Sequence, residues 1–207
     1  MTPADHPDIV EQLCGVCRDF GKRGWCRATS GNFSVRIDDC HCLITQSGRD
    51  KACLTIDDLM MCDFDTGAVD PACKPSAETP LHTRLYLLDD AVGAVLHTHS
   101  AASTILSRHA GDSLSVTGYE MQKALHNVSS HEETVTIPIF ENDQDMHSLA
   151  EQVTTAWKDS RLKAPGFLIA GHGLYAWGRN IDEARRHVEG LEFLFECLWQ
   201  ESLARLA

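Results

Sequence analysis

The stretch Ala91-Val92-Gly93-Ala94-Val95-Leu96-His97-Thr98-His99-Ser100 runs an apolar segment directly into two histidines one residue apart. Ala91–Leu96 reads as a buried strand. Side chains two apart on a strand share a face, so the imidazoles of His97 and His99 can converge on one metal ion, held by the apolar run before them. Taken alone, such a pair also fits two unrelated polar residues at a strand end. Ser100 is placed to cap a helix over Ala101–Leu106.

The same reading extends outward in both directions. Upstream, Pro7–Phe20 puts Ile9, Leu13, Val16, Cys17 and Phe20 on one helical stripe, with Pro7 in the first turn and Gly21 and Gly24 at the exit. Asn32–Ile37 and Leu43–Thr45 read as short strands joined by Asp38–Asp39. Thr55 and Asp58 form a capping pair that opens a short helix, and Asp63–Gly67 is a turn. Thr79–Leu88 presents a helical face of Leu81, Leu85 and Leu88. Downstream, Thr134–Phe140 is β-rich, and Pro138 places it near a sheet edge or strand end. Met146, Leu149, Val153 and Trp157 make another helical stripe. Phe167–Ala170 and Leu174–Trp177 are strands flanking Gly171-His172-Gly173. A long amphipathic helix follows the cap pair Asn180 and Glu183, with Ala184, Val188, Leu191, Phe195 and Leu198 on its stripe. Strands and helices mix without regular βαβ alternation. That order predicts an α/β fold, a three-layer sandwich with helices on both sides of an at least partly antiparallel sheet. No repeat or linker interrupts it, so one domain is expected over residues 1–207.

The composition excludes several functions. The chain has 207 residues, 43% of them hydrophobic and 23% charged, which is globular composition with enough apolar mass for a real core. Eighteen basic against thirty acidic residues leave a net charge of −12. Such a chain repels phosphate backbones and anionic lipid overall, so neither nucleic acid nor a membrane is an expected partner, while a local pocket for a phosphorylated metabolite is allowed. No apolar run approaches the roughly 18–20 residues of a membrane span. Met1–Asp8 has no apolar segment, and the nine cysteines are odd in number. Together these predict reduced thiols in a cytoplasmic protein rather than a disulfide framework. Cys14 and Cys17 fall inside the first helix and read as buried small side chains, and Cys40-His41-Cys42 sits in a hairpin turn.

Three groups of residues carry candidate chemistry. His172, between two glycines after an apolar strand, is a third possible ligand beside His97 and His99. Three histidines leave one coordination position open, as catalytic rather than structural zinc requires. His187 lies on the last helix and reads as a packed or solvated histidine. Glu78 and Glu120 each precede a helix start, where a carboxylate either complements the helix dipole or, beside a metal-bound substrate, moves protons. Thr29-Ser30-Gly31-Asn32, Thr45-Gln46-Ser47-Gly48 with Lys51 following, and Pro75-Ser76-Ala77 combine small hydroxylated residues with glycine or exposed backbone N–H groups. Each is either an anion cradle or an ordinary turn.

In this order, the segments Thr29–Asn32, Ser47-Gly48, Pro75-Ser76-Ala77-Glu78, His97-Thr98-His99 and Gly171-His172-Gly173 resemble the class II aldolase/adducin family over about residues 10 to 200. The stretches Gly118–Lys123, Ile137–Asn142, Gln144-Asp145 and Gly173–Gly178 are most similar to its dehydratase branch. The resemblance implies an α/β/α sandwich around a mixed, largely antiparallel sheet, and a homotetramer with active sites at subunit boundaries. It implies one zinc ion per subunit on His97, His99 and His172, and a substrate phosphate on Ser30, Gly31, Asn32, Ser47, Gly48 and Ser76. Glu78 falls where the family's sugar-phosphate aldolases carry their acid/base and Glu120 where its dehydratases carry theirs. The motif around Glu120 gives the proton transfer to that residue. The expected reaction is loss of water from a ketose phosphate. A sugar-phosphate aldolase or epimerase of the same family is the alternative, and a non-catalytic adducin-like head or a structural zinc protein are readings from other classes.

Overall fold

The computed structural model describes residues 1–205, so residues 206 and 207 of the expected domain lie outside the described part. Among the described residues, nine strands form one sheet. They are β1 (Asn32–Arg36), β2 (His41–Thr45), β3 (Leu59–Asp63), β4 (Gly67–Ala68), β5 (Ala94–Thr98), β6 (Ser113–Val116), β7 (Val135–Phe140), β8 (Gly166–Ile169) and β9 (Gly173–Gly178). Their spatial order is β4-β3-β2-β1-β5-β9-β8-β7-β6. Every neighbouring pair is antiparallel except β7 and β8. Two separate apolar cores, one on each face, make the three layers. On one side α1 (Pro7–Lys22), α3 (Ala101–His109) and α5 (Ile181–Ala204) pack against the sheet, and on the other α2 (Thr79–Leu88) and α4 (Met146–Lys158).

The helices form where their stripes place them. Pro7 occupies the first turn of α1, and Val10, Leu13, Val16, Cys17 and Phe20 are buried. Asn180 caps α5 by accepting from the Glu183 N–H at 2.9 Å. That helix buries Ala184, Val188, Leu191, Leu194 and Phe195, each of the larger ones contributing about 1.5–3 kcal/mol. Ser100 caps α3 through the Ser103 N–H at 3.0 Å.

The sheet adds to or shifts the sequence reading at three places. The strand expected over Ala91–Leu96 runs instead from Ala94 to Thr98. Val92 belongs to the turn after α2, where its N–H bonds the Asp89 carbonyl at 3.0 Å. His97 is therefore inside the strand and His99 just beyond it. Strand β3 carries the continuous apolar run Leu59-Met60-Met61-Cys62, all buried, which shows no alternation to mark it as a strand. Strand β6 covers the sheet edge outside β7, so Pro138 lies one strand in from the edge, opposite Ser113.

Candidate active site

His97, His99, His172 and Glu78 come together at the end of the central strands. The Nδ1–H of His97 donates to the Leu174 carbonyl of β9 at 2.8 Å, which fixes the ring and turns Nε2 inward. The Tyr175 ring stacks on His97 at 4.0 Å between centroids. The His99 main chain is held by its N–H bond to the Trp25 carbonyl, 2.7 Å. His172 sits in the tight β8–β9 turn, its carbonyl accepting from Thr104 Oγ1 at 3.0 Å. A Cβ at Gly173 would lie 2.1 Å from the Thr98 carbonyl, so only glycine lets β9 start against the end of β5. Nε2 of His172 is 3.3 Å from Nε2 of His97. Glu78, immediately before α2, brings Oε1 to 2.9 Å from His172 Nε2 and 3.5 Å from His97 Nε2.

One ligand atom from each of these four residues lies within 4.8 Å of the others. Among the described residues, Glu78 Oε1, which faces the His172 and His97 rings, and His99 Nε2 are buried without a hydrogen bond of ordinary geometry. Buried acceptors without partners are costly, and lone pairs aimed at one point are what a cation compensates. Three imidazoles and one carboxylate form a donor set suited to a divalent transition metal. Burial, aided by His97 and His172, pushes His99 down to about 3, so its imidazole is neutral and ready to ligate. Burial alone would push Glu78 up; the adjacent His97 and His172 outweigh it and hold the carboxyl well below its ordinary range.

The three candidate anion loops also converge. The Lys51 ammonium, on a buried side chain, donates to the Thr29 carbonyl at 3.0 Å and the Arg49 carbonyl at 2.8 Å, joining the first loop to the second. The Ser47 N–H bonds the Lys74 carbonyl at 2.9 Å, joining the second to the third. Ala28, Thr29 and Gly31 all have positive φ, and a Cβ on Gly31 would lie 2.7 Å from the His97 carbonyl. Ser30 Oγ is buried without a partner, in a cleft of about 470 Å³ lined by Arg27, His99, Asn142, Gln144 and His172. Ser76 Oγ accepts from the Glu78 N–H at 3.2 Å. The Asn32 side chain is committed elsewhere: its amide donates to Glu78 at 2.5 Å, and its oxygen meets His82.

Glu120 is not part of this assembly within one subunit. It opens the short 3-10 turn Glu120–Ala124 with its side chain 71% exposed, pairing with Lys123 at 2.7 Å and His131 at 3.1 Å. His187 is a packed histidine: Nδ1–H donates to the Trp177 carbonyl and Nε2 accepts from the His126 N–H. Sequence reasoning passed over His82 and Thr104, which lie outside every motif, and took Tyr175 only as part of the Gly173–Gly178 stretch; all three act through contacts made in the folded chain.

On the far side of β5, Glu192 of α5 accepts from Thr98 Oγ1 at 2.5 Å and is 2% exposed. Burial pushes its carboxyl up from 4.5 to about 7. The folded state therefore holds this proton more tightly than the unfolded one. The resulting stability is complete below about pH 4.5 and is lost as the pH rises through 7, a span worth about 3 kcal/mol. Glu192→Gln removes that dependence. Denaturant unfolding of the metal-free protein should show the wild type losing about 2–3 kcal/mol against the variant between pH 5 and pH 8. A difference that does not change with pH refutes it.

Comparison with known proteins agrees with this geometry. The family described as the class II aldolase and adducin N-terminal domain matches residues 11–199. The chain is 52% identical over 192 residues to the methylthioribulose-1-phosphate dehydratase of Pectobacterium atrosepticum, covering 92% of this chain and 93% of that protein. It is 50% identical to the protein of the same name from Serratia proteamaculans, covering 94% and 95%. Among solved structures, L-fuculose-1-phosphate aldolase from Thermus thermophilus superimposes with a TM-score of 0.78 at 26% identity, covering 96% of each chain. The histidine and carboxylate cluster thus stands within a match that runs almost end to end, and the chain belongs to the class II aldolase and adducin family.

Proposed function

We propose that this chain removes water from 5-methylthioribulose 1-phosphate to give 2,3-diketo-5-methylthiopentyl 1-phosphate, a step of methionine salvage. The reading takes the chain as one cytoplasmic domain, assembled as a homotetramer with one zinc ion per subunit. The observation that carries it is the Glu78, His97, His99 and His172 cluster beside three joined anion loops. It is supported by the roughly half-identical relatives named for this reaction.

His97, His99, His172 and Glu78 would hold the zinc, which supplies Lewis acidity towards the substrate carbonyl. Ser30, Gly31, Ser47, Gly48 and Ser76 hold the phosphate, with Asn32 anchoring its loop. A carboxylate takes the carbon 3 proton, and the carbon 4 hydroxyl leaves as water once protonated. The enol left at carbon 3 then takes a proton at carbon 4 and loses its hydroxyl proton, which makes the second ketone. We assign the proton transfer to Glu120, reaching the metal site of a neighbouring subunit. Of the Glu78 oxygens, Oε1 points into the metal site and Oε2 is held by Asn32, which leaves neither free for proton transfer once the site is filled.

Turnover of methylthioribulose 1-phosphate by zinc-loaded protein, followed by diketone formation, tests the reading. The alternative, a sugar-phosphate aldolase or epimerase, is favoured by Glu78 lying in the cluster and by the likeness to a fuculose-phosphate aldolase. Release of dihydroxyacetone phosphate without diketone would select the aldolase. Light scattering should give four times the 22.9 kDa chain mass, and a monomer at assay concentration refutes the assembly.

A further inference from the structure

Behind Glu78 a line of side chains with no part in ligation runs into the core. Asn32 Nδ2 donates to Glu78 Oε2 at 2.5 Å. Asn32 Oδ1 meets His82 Nε2, His82 Nδ1 lies 2.7 Å from Ser34 Oγ, and Ser34 Oγ lies 2.7 Å from the Tyr86 hydroxyl. Ser34, His82 and Tyr86 are fully buried, and Asn32 is 4% exposed. Such a chain can be polarised in only two ways, because each link has one proton to give.

The far end decides which. In one polarity Tyr86 donates to Ser34. In the other it accepts, and its own proton then needs a second acceptor; the hydroxyl's other neighbour is the Val95 backbone N–H, a donor, and no acceptor besides Ser34 Oγ is recorded for it among the described residues. A buried unsatisfied hydroxyl is costly, so Tyr86 donates. Ser34 must then give its proton to His82 Nδ1, and His82 must carry its hydrogen on Nε2 and donate to Asn32 Oδ1. That leaves Asn32 with its NH₂ towards Glu78. A flipped amide would set its oxygen against the carboxylate.

We propose that Tyr86, Ser34 and His82 are positioning residues that act through Asn32, locking the Glu78 carboxylate in the rotamer that points Oε1 at His97 and His172. The metal function of Glu78 is taken from the reading above; the polarity of the relay is independent of it. His82, a histidine outside every motif, becomes the element that sets the amide orientation. Burial keeps it neutral, pushing it down to about 3, which suits a ring that must donate on one side and accept on the other.

Two measurements test this. Long-range ¹⁵N–¹H correlation on the full-length protein, with and without zinc, should show His82 with Nε2 protonated and Nδ1 bare, the signal assigned by its loss in His82→Gln. A proton on Nδ1 reverses the relay and overturns the proposal whether or not zinc binds. Zinc affinity by chelator competition is the second. His82→Leu should bind about 10- to 100-fold more weakly than wild type, the usual effect of removing an outer partner of a ligand. His82→Gln, whose amide nitrogen reaches the Nε2 position, should recover most of that. In a Glu78→Gln background His82→Leu should add little, because its effect travels through Glu78. Equal losses in both backgrounds mean a merely structural histidine and overturn the proposal. Should His82→Leu fail to fold, Asn32→Asp, which sets a carboxylate against Glu78, must show the same weakening; unchanged zinc binding there is equally fatal. Wild-type protein that binds no zinc would refute the metal reading and leave the tautomer result standing.

Discussion

His97→Ala and His99→Ala are each expected to lose zinc and turnover together. Removing an outer partner of a metal ligand weakens binding by about 10- to 100-fold, and removing a ligand itself should exceed that. Two histidines and one carboxylate would remain, and Glu78 Oε1 would still be buried. The two variants differ in what else they break. His97 also donates to the Leu174 carbonyl and stacks on Tyr175, so its removal loosens the junction of β5 and β9 and should lower the melting temperature. His99 Nε2 has no hydrogen-bond partner among the described residues, so His99→Ala is the cleaner test. Metal analysis after gel filtration, with activity measured on the same fractions, is the check. Full zinc occupancy in both variants would refute the site.

How much of this was legible in the sequence depended on whether each signal was local. The H-x-H pair after an apolar run and the Gly-His-Gly turn between two strands were readable, because each signal lies within a few residues, although His99 falls just past the end of β5 and His172 in a turn. The helix stripes and the caps Ser100 and Asn180 were readable for the same reason. The start of β5 was missed by three residues, since Ala91 and Val92 are as apolar as the strand they precede. Strand β3 was missed because burial on both faces erases alternation, so Leu59–Cys62 has no period to read. The three anion loops were each identifiable as small-residue turns, but not their convergence. That depends on Lys51, whose buried ammonium joins carbonyls 22 and 2 residues away. The His82 relay was invisible, because contacts between residues about 50 positions apart leave no spacing pattern.

The roles of the two acids are separable by experiment. Glu120→Gln keeps the size and much of the hydrogen bonding of the side chain and removes its titrating carboxyl. General acid–base groups contribute about 10²–10⁴-fold, so turnover should fall within that range at normal zinc content. Substrate binding should change little, because the lost interaction belongs to the transition state. Glu78→Gln should weaken zinc binding and, at matched zinc content, retain more activity than Glu120→Gln. The exposed position of Glu120, paired among the described residues with Lys123 and His131, adds a further expectation. If it serves a neighbouring subunit, its defect and a metal-ligand defect lie in different halves of each site. Co-assembling Glu120→Gln subunits with His99→Ala subunits then rebuilds some sites with both parts intact, and activity returns in the mixture although each parent is nearly inactive. If Glu120 instead served its own subunit's metal, every hybrid site would lack one part and the mixture would stay as inactive as its parents. Higher activity in Glu120→Gln than in Glu78→Gln at matched zinc content would move the acid/base role to Glu78 and bring the mechanism closer to that of the aldolases.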